Sequence, residues 1–238
     1  MFKKILFITL SLSIVSCEQI EEKGFNTVAS EFVRDYAKLF PDETPLSINN
    51  PELTNLHIPD ASTLDSVKIF YENFSLKIED MDGSQMTPSM SNDISKIKNI
   101  LKNINTYLID YQTSPAIFNV HYGFKRILNS SFDTPEHRLQ ILFDKLDKVP
   151  AFYEAAKSQL KNANFKQTNK TIEDHLQTYQ FFDKTLPDFI ATKHHITPQY
   201  QARLEAAKIA IKDYVAYVES LRLIWKKILE SRYWDIRL

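Results

Sequence analysis

One stretch decides the fold of this chain: Thr134-Pro-Glu-His-Arg-Leu-Gln-Ile-Leu-Phe-Asp-Lys-Leu-Asp-Lys-Val-Pro-Ala-Phe-Tyr-Glu-Ala-Ala-Lys-Ser-Gln-Leu160. Thr134 can accept hydrogen bonds from the first free amides of a helix, and Pro135 stands where a missing N–H has no cost. Apolar side chains then recur in steps of three and four, at Leu139, Leu142, Phe143, Leu146, Val149, Phe152, Tyr153, Ala156 and Leu160. The spacing predicts an amphipathic helix whose broad apolar face needs partners on two sides. Pro150 removes one backbone hydrogen bond, so we expect a kink there.

The composition favours helices throughout the chain. Of the 238 residues, 43% are apolar and 12% aromatic, which is enough to form a sizeable core. Only 3 are glycine, and tight hairpins and phosphate-binding loops depend on glycine. We therefore predict an all-α protein. The formal net charge of −1 gives no basic footprint, so no nucleic-acid partner is expected.

The N-terminus has the features of a secretory signal that ends in a lipidation site. Residues 1–16 combine a basic head, Lys3 and Lys4, with an apolar run of about a dozen residues that is too short to span a bilayer. The run closes with Ile14-Val15-Ser16-Cys17, which resembles the bacterial lipobox, and Cys17 is the only cysteine. A reactive or buried thiol is the alternative, but this position favours lipidation. We predict a lipid anchor in a bacterial cell membrane or outer membrane, facing the periplasm or the exterior.

The remaining chain divides into a tether and one helical domain. We predict a signal peptide over 1–16, a solvated tether over 17–24 and a helical domain over 25–238. About seven helices in an irregular bundle are expected, at Asn26–Phe40, Ser62–Glu79, Ser89–Tyr111, Ala116–Asn129, Thr134–Leu160, Asn169–Pro187 and Thr197–Arg232. An ordered loop rich in proline should follow the first helix, because its apolar residues cannot be left in water. Trp225 is expected to anchor the core of the last helix.

Three patches together resemble the N-terminal half of a bacterial family, the domain-of-unknown-function 885 family. They are Ser114-Pro-Ala-Ile-Phe-Asn-Val-His-Tyr-Gly-Phe-Lys-Arg-Ile-Leu128, the helix from Arg138 to Leu160, and Thr171-Ile-Glu-Asp174 through Leu186-Pro187 with the alanine-bearing helix that follows. The resemblance covers about residues 25–238. It implies a larger, all-helical, zincin-like protein whose metal ligands lie on a His-Glu motif in its C-terminal half. This sequence contains no His-Glu pair, so it resembles a member without the catalytic half, and the implied ligands have no counterpart.

Few residues qualify as catalytic, cofactor-binding or metal-binding candidates, and we predict none of the three kinds. A catalytic zinc needs three ligands, two of them usually one helical turn apart, and none of His57, His121, His137, His175, His194 and His195 has that arrangement. We expect His175 at a surface position near a helix start and His194-His195 in a loop. Asp80 and Asp82 beside Gly83 lack the later ligands of a calcium loop, so a solvated turn is favoured. No Gly-x-Ser-x-Gly elbow is present, and Cys17 is left as the single predicted site.

Two functions remain open after these exclusions. Aromatic residues are densest at Tyr107, Tyr111, Phe118, Tyr122 and Phe124, where core packing is favoured over a groove for an apolar or peptide-like ligand. We predict a membrane-anchored helical lipoprotein that acts as a binding or scaffolding module. The alternative is the N-terminal fragment of a split or truncated zinc-dependent hydrolase. An apolar C-terminal end, Tyr233-Trp-Asp-Ile-Arg-Leu238, is expected to bind a protein partner or a second copy.

Overall fold

The structure is a computed structural model that describes the backbone of residues 24–47, 49–81, 86–160, 165–193 and 197–235. The side chains of 165–167, 192–193 and 224–235 are not described. Several predictions therefore lie outside the described residues: the signal peptide, Cys17, most of the tether, Asp82-Gly83, His194-His195, the Trp225 side chain and the apolar C-terminal end.

The described chain is all-α, as predicted, and contains no strand. Its α-helical segments are α1 (24–39), α2 (Ala61–Met81), α3 (Pro88–Asp110), α4 (His121–Leu128), α5 (Pro135–Leu146), α6 (Val149–Gln159), α7 (Phe165–Gln180), α8 (Leu186–Lys193) and α9 (Pro198–Asp235). Short 3₁₀ turns lie at Pro41–Glu43, Pro51–Thr54 and Pro115–Ile117, and a π-helical turn covers Phe181–Thr185. The described ranges thus hold nine α-helical segments, because the predicted Thr134–Leu160 helix is divided in two and the helix predicted to end at Pro187 continues through the π turn into α8.

The stretch from Thr134 to Leu160 forms two helices instead of one kinked helix. Asp147 and Lys148 form a turn between α5 and α6, and Pro150 lies in the first turn of α6, where its missing N–H leaves no carbonyl unpaired. The predicted kink within one continuous helix was therefore wrong, because a turn separates two helices there. The predicted apolar face is confirmed, since every position named for it is buried except the half-buried Phe143.

Proline also explains the divided helix near residue 187. The Leu186 N–H bonds to the Phe181 carbonyl, a five-residue step that forms the π turn, and α8 then continues the direction of the chain. Pro187 has no N–H to donate to the turn before it, so the wider turn accommodates the proline without ending the helix. The predicted fourth helix is shorter than expected, because 115–117 forms a 3₁₀ turn before α4. Phe124 of α4 is fully buried.

Apolar side chains form two cores along the chain. The first joins α1, α2 and α3 through residues that include Phe32, Phe70 and Phe74. The second joins α4 to α9 and the π turn, and it takes Leu53 and Leu56 from the proline-rich loop. The inner face of α9 consists of residues at helical spacing that are all buried: Leu204, Ala207, Ile211, Tyr214 and Val218.

The proline-rich loop is ordered because three cations, one of them fully buried, bind its backbone and side chains. Lys145, 1% exposed, pairs with the Asp42 carboxylate at 2.7 Å and donates to the Asn55 carbonyl. Lys148 donates to the Thr54 carbonyl and the Asn55 side chain, each at 2.7 Å. Arg126 donates to the carbonyls of Asp42 and Thr44. These bonds connect the loop to α4 and α5.

Gly123 in α4 is the position that lets the loop approach so closely. A Cβ atom built there would overlap the carboxylate of Asp42, whereas one built at Gly24 would meet nothing within 4 Å. A side chain at 123 would therefore push Asp42 away from Lys145. The buried ammonium would then lose its charge partner.

We expect Gly123→Ala to lower the free energy of unfolding by about 1–3 kcal/mol, the usual range for overpacking a filled site. Denaturant unfolding followed by circular dichroism measures this change. Gly24→Ala is the matched control, because it offers the same gain in helix propensity without an overlap. Equal stabilities of the two variants would contradict the proposed role of Gly123.

Candidate functional site

No metal site is found in the described part of the chain, where no three His, Cys, Asp or Glu side chains come together in a way that could hold an ion. Each described histidine contacts different residues: this holds for His57, His121, His137 and His175. Asp80 is exposed near the end of α2. Asp82 and Gly83, the rest of the predicted solvated turn, lie outside the described residues.

His175 is buried in the second core, so its predicted surface position was wrong. Only 1% of it is exposed, and its ring lies 4.9 Å from the ring of Tyr214 and 5.8 Å from that of Tyr153. Its two ring nitrogens lie 2.8 Å from the Thr171 carbonyl and 2.7 Å from the Phe118 carbonyl. Burial lowers the pKa of His175 more than the two carbonyls raise it. The acidic neighbours in sequence face away from the core, a fact that sequence spacing did not reveal.

His57 connects the two cores. Its Nδ1 lies 2.5 Å from the Leu39 carbonyl and its Nε2 lies 2.9 Å from the Tyr107 hydroxyl. The ring stacks on Phe40 with centroids 5.2 Å apart. A neutral imidazole satisfies both contacts, as a donor at Nδ1 and an acceptor at Nε2. Burial lowers the pKa of His57, because the neutral form needs no water around it.

One surface site is a groove between α5, α8 and the first turn of α9. We refer to it as the α5–α8–α9 groove. Its volume is about 350 Å³, and its described lining consists of Glu136, Leu139, Gln140, Phe143, Ile190, Thr197, Gln199 and Tyr200. The floor is apolar and the edge is polar, a combination that small-molecule sites share. None of these described lining residues is basic.

Local sequence explains how the walls of this groove form. Thr197 caps α9, accepting a bond from the Tyr200 amide at 3.2 Å, and this cap orients the first turn. Tyr200 then packs on Phe143 of α5 with ring centroids 5.1 Å apart. The guanidinium of Arg203 also packs on Phe143, 3.8 Å from the ring centroid. Two residues of α9 therefore hold the Phe143 ring.

The Tyr200 hydroxyl is a buried polar group without a partner. Tyr200 is 8% exposed, and its hydroxyl oxygen makes no hydrogen bond to any described residue. Burial raises the pKa of Tyr200, so the group is a neutral donor at physiological pH. An unpaired buried hydroxyl costs roughly 1–3 kcal/mol. Such a group in a groove wall is a candidate contact for a ligand.

Sequence reasoning did not find this groove. The aromatic residues predicted as either a groove or core are divided by the structure: Phe118 and Phe124 are core, Tyr107 and Tyr111 are partly buried, and Tyr122 is 64% exposed. The Thr197-Pro198 helix start was the one available signal, since it places Tyr200 one turn into α9. That this turn meets α5 depends on the tertiary structure.

Comparisons with known proteins support the fold. No family model matches the chain, and no curated protein matches it. A solved structure of a candidate lipoprotein of unknown function from Shewanella oneidensis is similar, with a TM-score of 0.71 and 20% sequence identity. The match covers 85% of this chain and 38% of that protein. At this identity the likeness shows a shared helical fold, within a protein of which this chain spans about two fifths.

The buried histidines predict a loss of stability at acidic pH. Because the pKa of His57 is lower in the folded state than its usual value of about 6.5, protons bind the unfolded state preferentially. Stability should be complete above about pH 6.5 and should decline below it, by at most about 1.4 kcal/mol per pH unit for each such histidine. Denaturant unfolding at pH 7.5, 6.5 and 5.5 measures this decline.

His57→Asn is the matched variant for this prediction, since its amide can still donate to Leu39 but does not titrate. We expect it to be less stable at pH 7.5 and less sensitive to pH. A variant with the same pH dependence as the wild type would exclude His57 as a source of the effect.

Proposed function

We propose that this protein is a lipid-anchored protein of the bacterial envelope whose helical part is a binding or scaffolding module. The single observation that carries the anchor is Cys17 at the end of a short apolar signal, in Ile14-Val15-Ser16-Cys17. Cys17 becomes the lipidated first residue of the mature protein. The membrane is thus its first partner, reached through the lipid.

The described structure supports this arrangement. Helix α1 is described from residue 24, seven residues after Cys17, so a short tether joins the anchor to the fold. None of the described helices has the length and apolarity to cross a membrane. The similar Shewanella oneidensis structure is also that of a candidate lipoprotein. Attachment through a lipid therefore accounts for a folded helical unit held at a membrane surface.

The module assignment is supported by the surface. The α5–α8–α9 groove offers a recess of about 350 Å³ at the surface of the helical part. The resemblance to the N-terminal half of the domain-of-unknown-function 885 family implies the same role, because that family carries its metal-binding motif in its C-terminal half. The match to 38% of a longer protein supports a unit that also occurs within larger chains. Under the alternative, a separate or following segment supplies zinc ligands for a hydrolase.

Lipidation predicts that Cys17→Ser will abolish fatty-acid labelling. Cells that express the full chain are grown with an alkyne-tagged fatty acid, and the protein is then isolated from membrane and soluble fractions. We expect label and membrane location for the wild type, and neither for Cys17→Ser, because the thiol is the acylated atom. Ser16→Ala is the control, since it keeps a small residue before Cys17. Fatty-acid label on Cys17→Ser would refute the anchor.

The binding-module hypothesis and the hydrolase hypothesis predict different amounts of bound zinc. We expect the purified chain to hold less than stoichiometric zinc and to hydrolyse neither a peptide nor an ester substrate, because it has no His-Glu helix. Elemental analysis of protein prepared with added zinc measures the first quantity, and a chromogenic substrate assay measures the second. One tightly held zinc ion per chain would favour the hydrolase.

A further inference from the structure

We infer that the α5–α8–α9 groove binds a neutral peptide segment, with one apolar side chain on its floor and the flanking amide groups at its polar edge. This inference rests on the proposed binding role and adds the chemical class of the ligand. The three observations that carry it are the shape of the groove, the amide groups of Gln140 and Gln199 at its edge and the unpaired hydroxyl of Tyr200 in its wall.

The floor of the groove matches one apolar side chain. Leu139 and Ile190 are buried beneath it, and the rings of Phe143 and Tyr200 form one wall. The volume of about 350 Å³ is near the lower end of the range of roughly 300–1,000 Å³ seen for small-molecule sites. A site of this size accommodates a single aromatic or branched residue with its adjoining backbone, and no more than a short segment of a partner.

The edge of the groove matches the backbone of a peptide. The amide nitrogen of Gln140 donates to Asp144 at 3.1 Å, so its carbonyl oxygen remains to accept a bond from a ligand N–H. Gln199 provides a second primary amide beside the first turn of α9. The positive end of that helix favours a ligand carbonyl oxygen. The two side-chain amides therefore offer both donors and an acceptor to the backbone of a ligand.

The Tyr200 hydroxyl supplies the third contact. Its oxygen has less than 1 Å² of exposed surface in the free protein, so a rotation about the Cα–Cβ bond of Tyr200 is needed to bring it to a ligand carbonyl. No described hydrogen bond holds the hydroxyl in place against this rotation. A bond to the ligand removes the cost of the unpaired donor, which makes the contact more favourable than one that must replace an existing bond.

The charges around the groove select a neutral ligand. Glu136 places a carboxylate at one end of the edge. Arg203, one turn beyond Tyr200, is engaged by the ring and the carbonyl of Phe143, and its guanidinium lies 3.4 Å from the Asp147 carboxylate. A ligand carboxylate or phosphate would therefore meet a negative group without a free cation among the described lining residues.

The test is calorimetric titration of the full-length lipidated protein in phosphatidylcholine nanodiscs, with empty nanodiscs as the reference for partition into lipid. N-acetyl-phenylalanine methylamide is the neutral probe, and N-acetyl-phenylalanine is the matched acid. We expect the methylamide to bind saturably and the acid to bind at least about tenfold more weakly. No saturable binding of the methylamide, or tighter binding of the acid, would overturn the inference.

Tyr200→Phe then separates a binding role from a structural one. Loss of the hydroxyl should weaken methylamide binding roughly three- to tenfold, the effect of one hydrogen bond, without lowering the thermal midpoint, because the group has no partner in the free protein. Tyr217→Phe is the control: that hydroxyl lies 3.2 Å from the carbonyls of Lys157 and Leu160, so its removal should lower the thermal midpoint and leave binding unchanged. Equal affinities of Tyr200→Phe and wild type would overturn the assignment of Tyr200.

Failure of this inference and failure of the proposed function remain distinguishable. Fatty-acid labelling of Cys17 in cells does not depend on any ligand for the groove. Intact labelling with no saturable methylamide binding therefore excludes the peptide site alone, whereas loss of labelling excludes the anchor and leaves the groove to be judged by the titration.

Discussion

The buried ion pair between Asp42 and Lys145 is the constraint on which the arrangement of this protein depends. It joins the proline-rich loop to α5, and Arg126 and Lys148 extend the connection to the neighbouring backbone carbonyls. A buried ion pair adds little net stability, because desolvation of both charges offsets their attraction. Removal of one partner costs about 3–5 kcal/mol, however, since the other charge is left unpaired. The pair therefore specifies where the loop lies.

The position of the loop in turn relates the two hydrophobic cores. Leu53 and Leu56 belong to the second core, while His57, one residue later, bonds to α1 and α3 of the first. Neither core shares a buried residue with the other. The contacts of His57 depend on the neutral imidazole, so the connection between the cores is sensitive to acid, as is the second core through His175.

The α5–α8–α9 groove follows from the same packing. Helix α5 lines this groove with Gln140 and Phe143, beside Tyr200 in the first turn of α9. Arg203 then holds Phe143 in place through its ring and carbonyl. The sequence predicts the same residues on a single kinked helix, and their helical spacing does not indicate a recess beside them. The candidate site is thus a product of how helices meet.

The sequence by itself determined the all-α class, the apolar faces of α5, α6 and α9, the ordered loop and most helix limits. These features depend on local spacing, capping residues and proline, all of which act within a few residues. Only the tertiary structure decided that His175 is buried, that Gly123 makes room for Asp42 and that Tyr200 lies unpaired in a groove wall. Each of these depends on residues distant in sequence, such as Phe118 for His175 at 57 positions away. Helical periodicity identifies which side of a helix is buried, but it does not identify the partner that buries it.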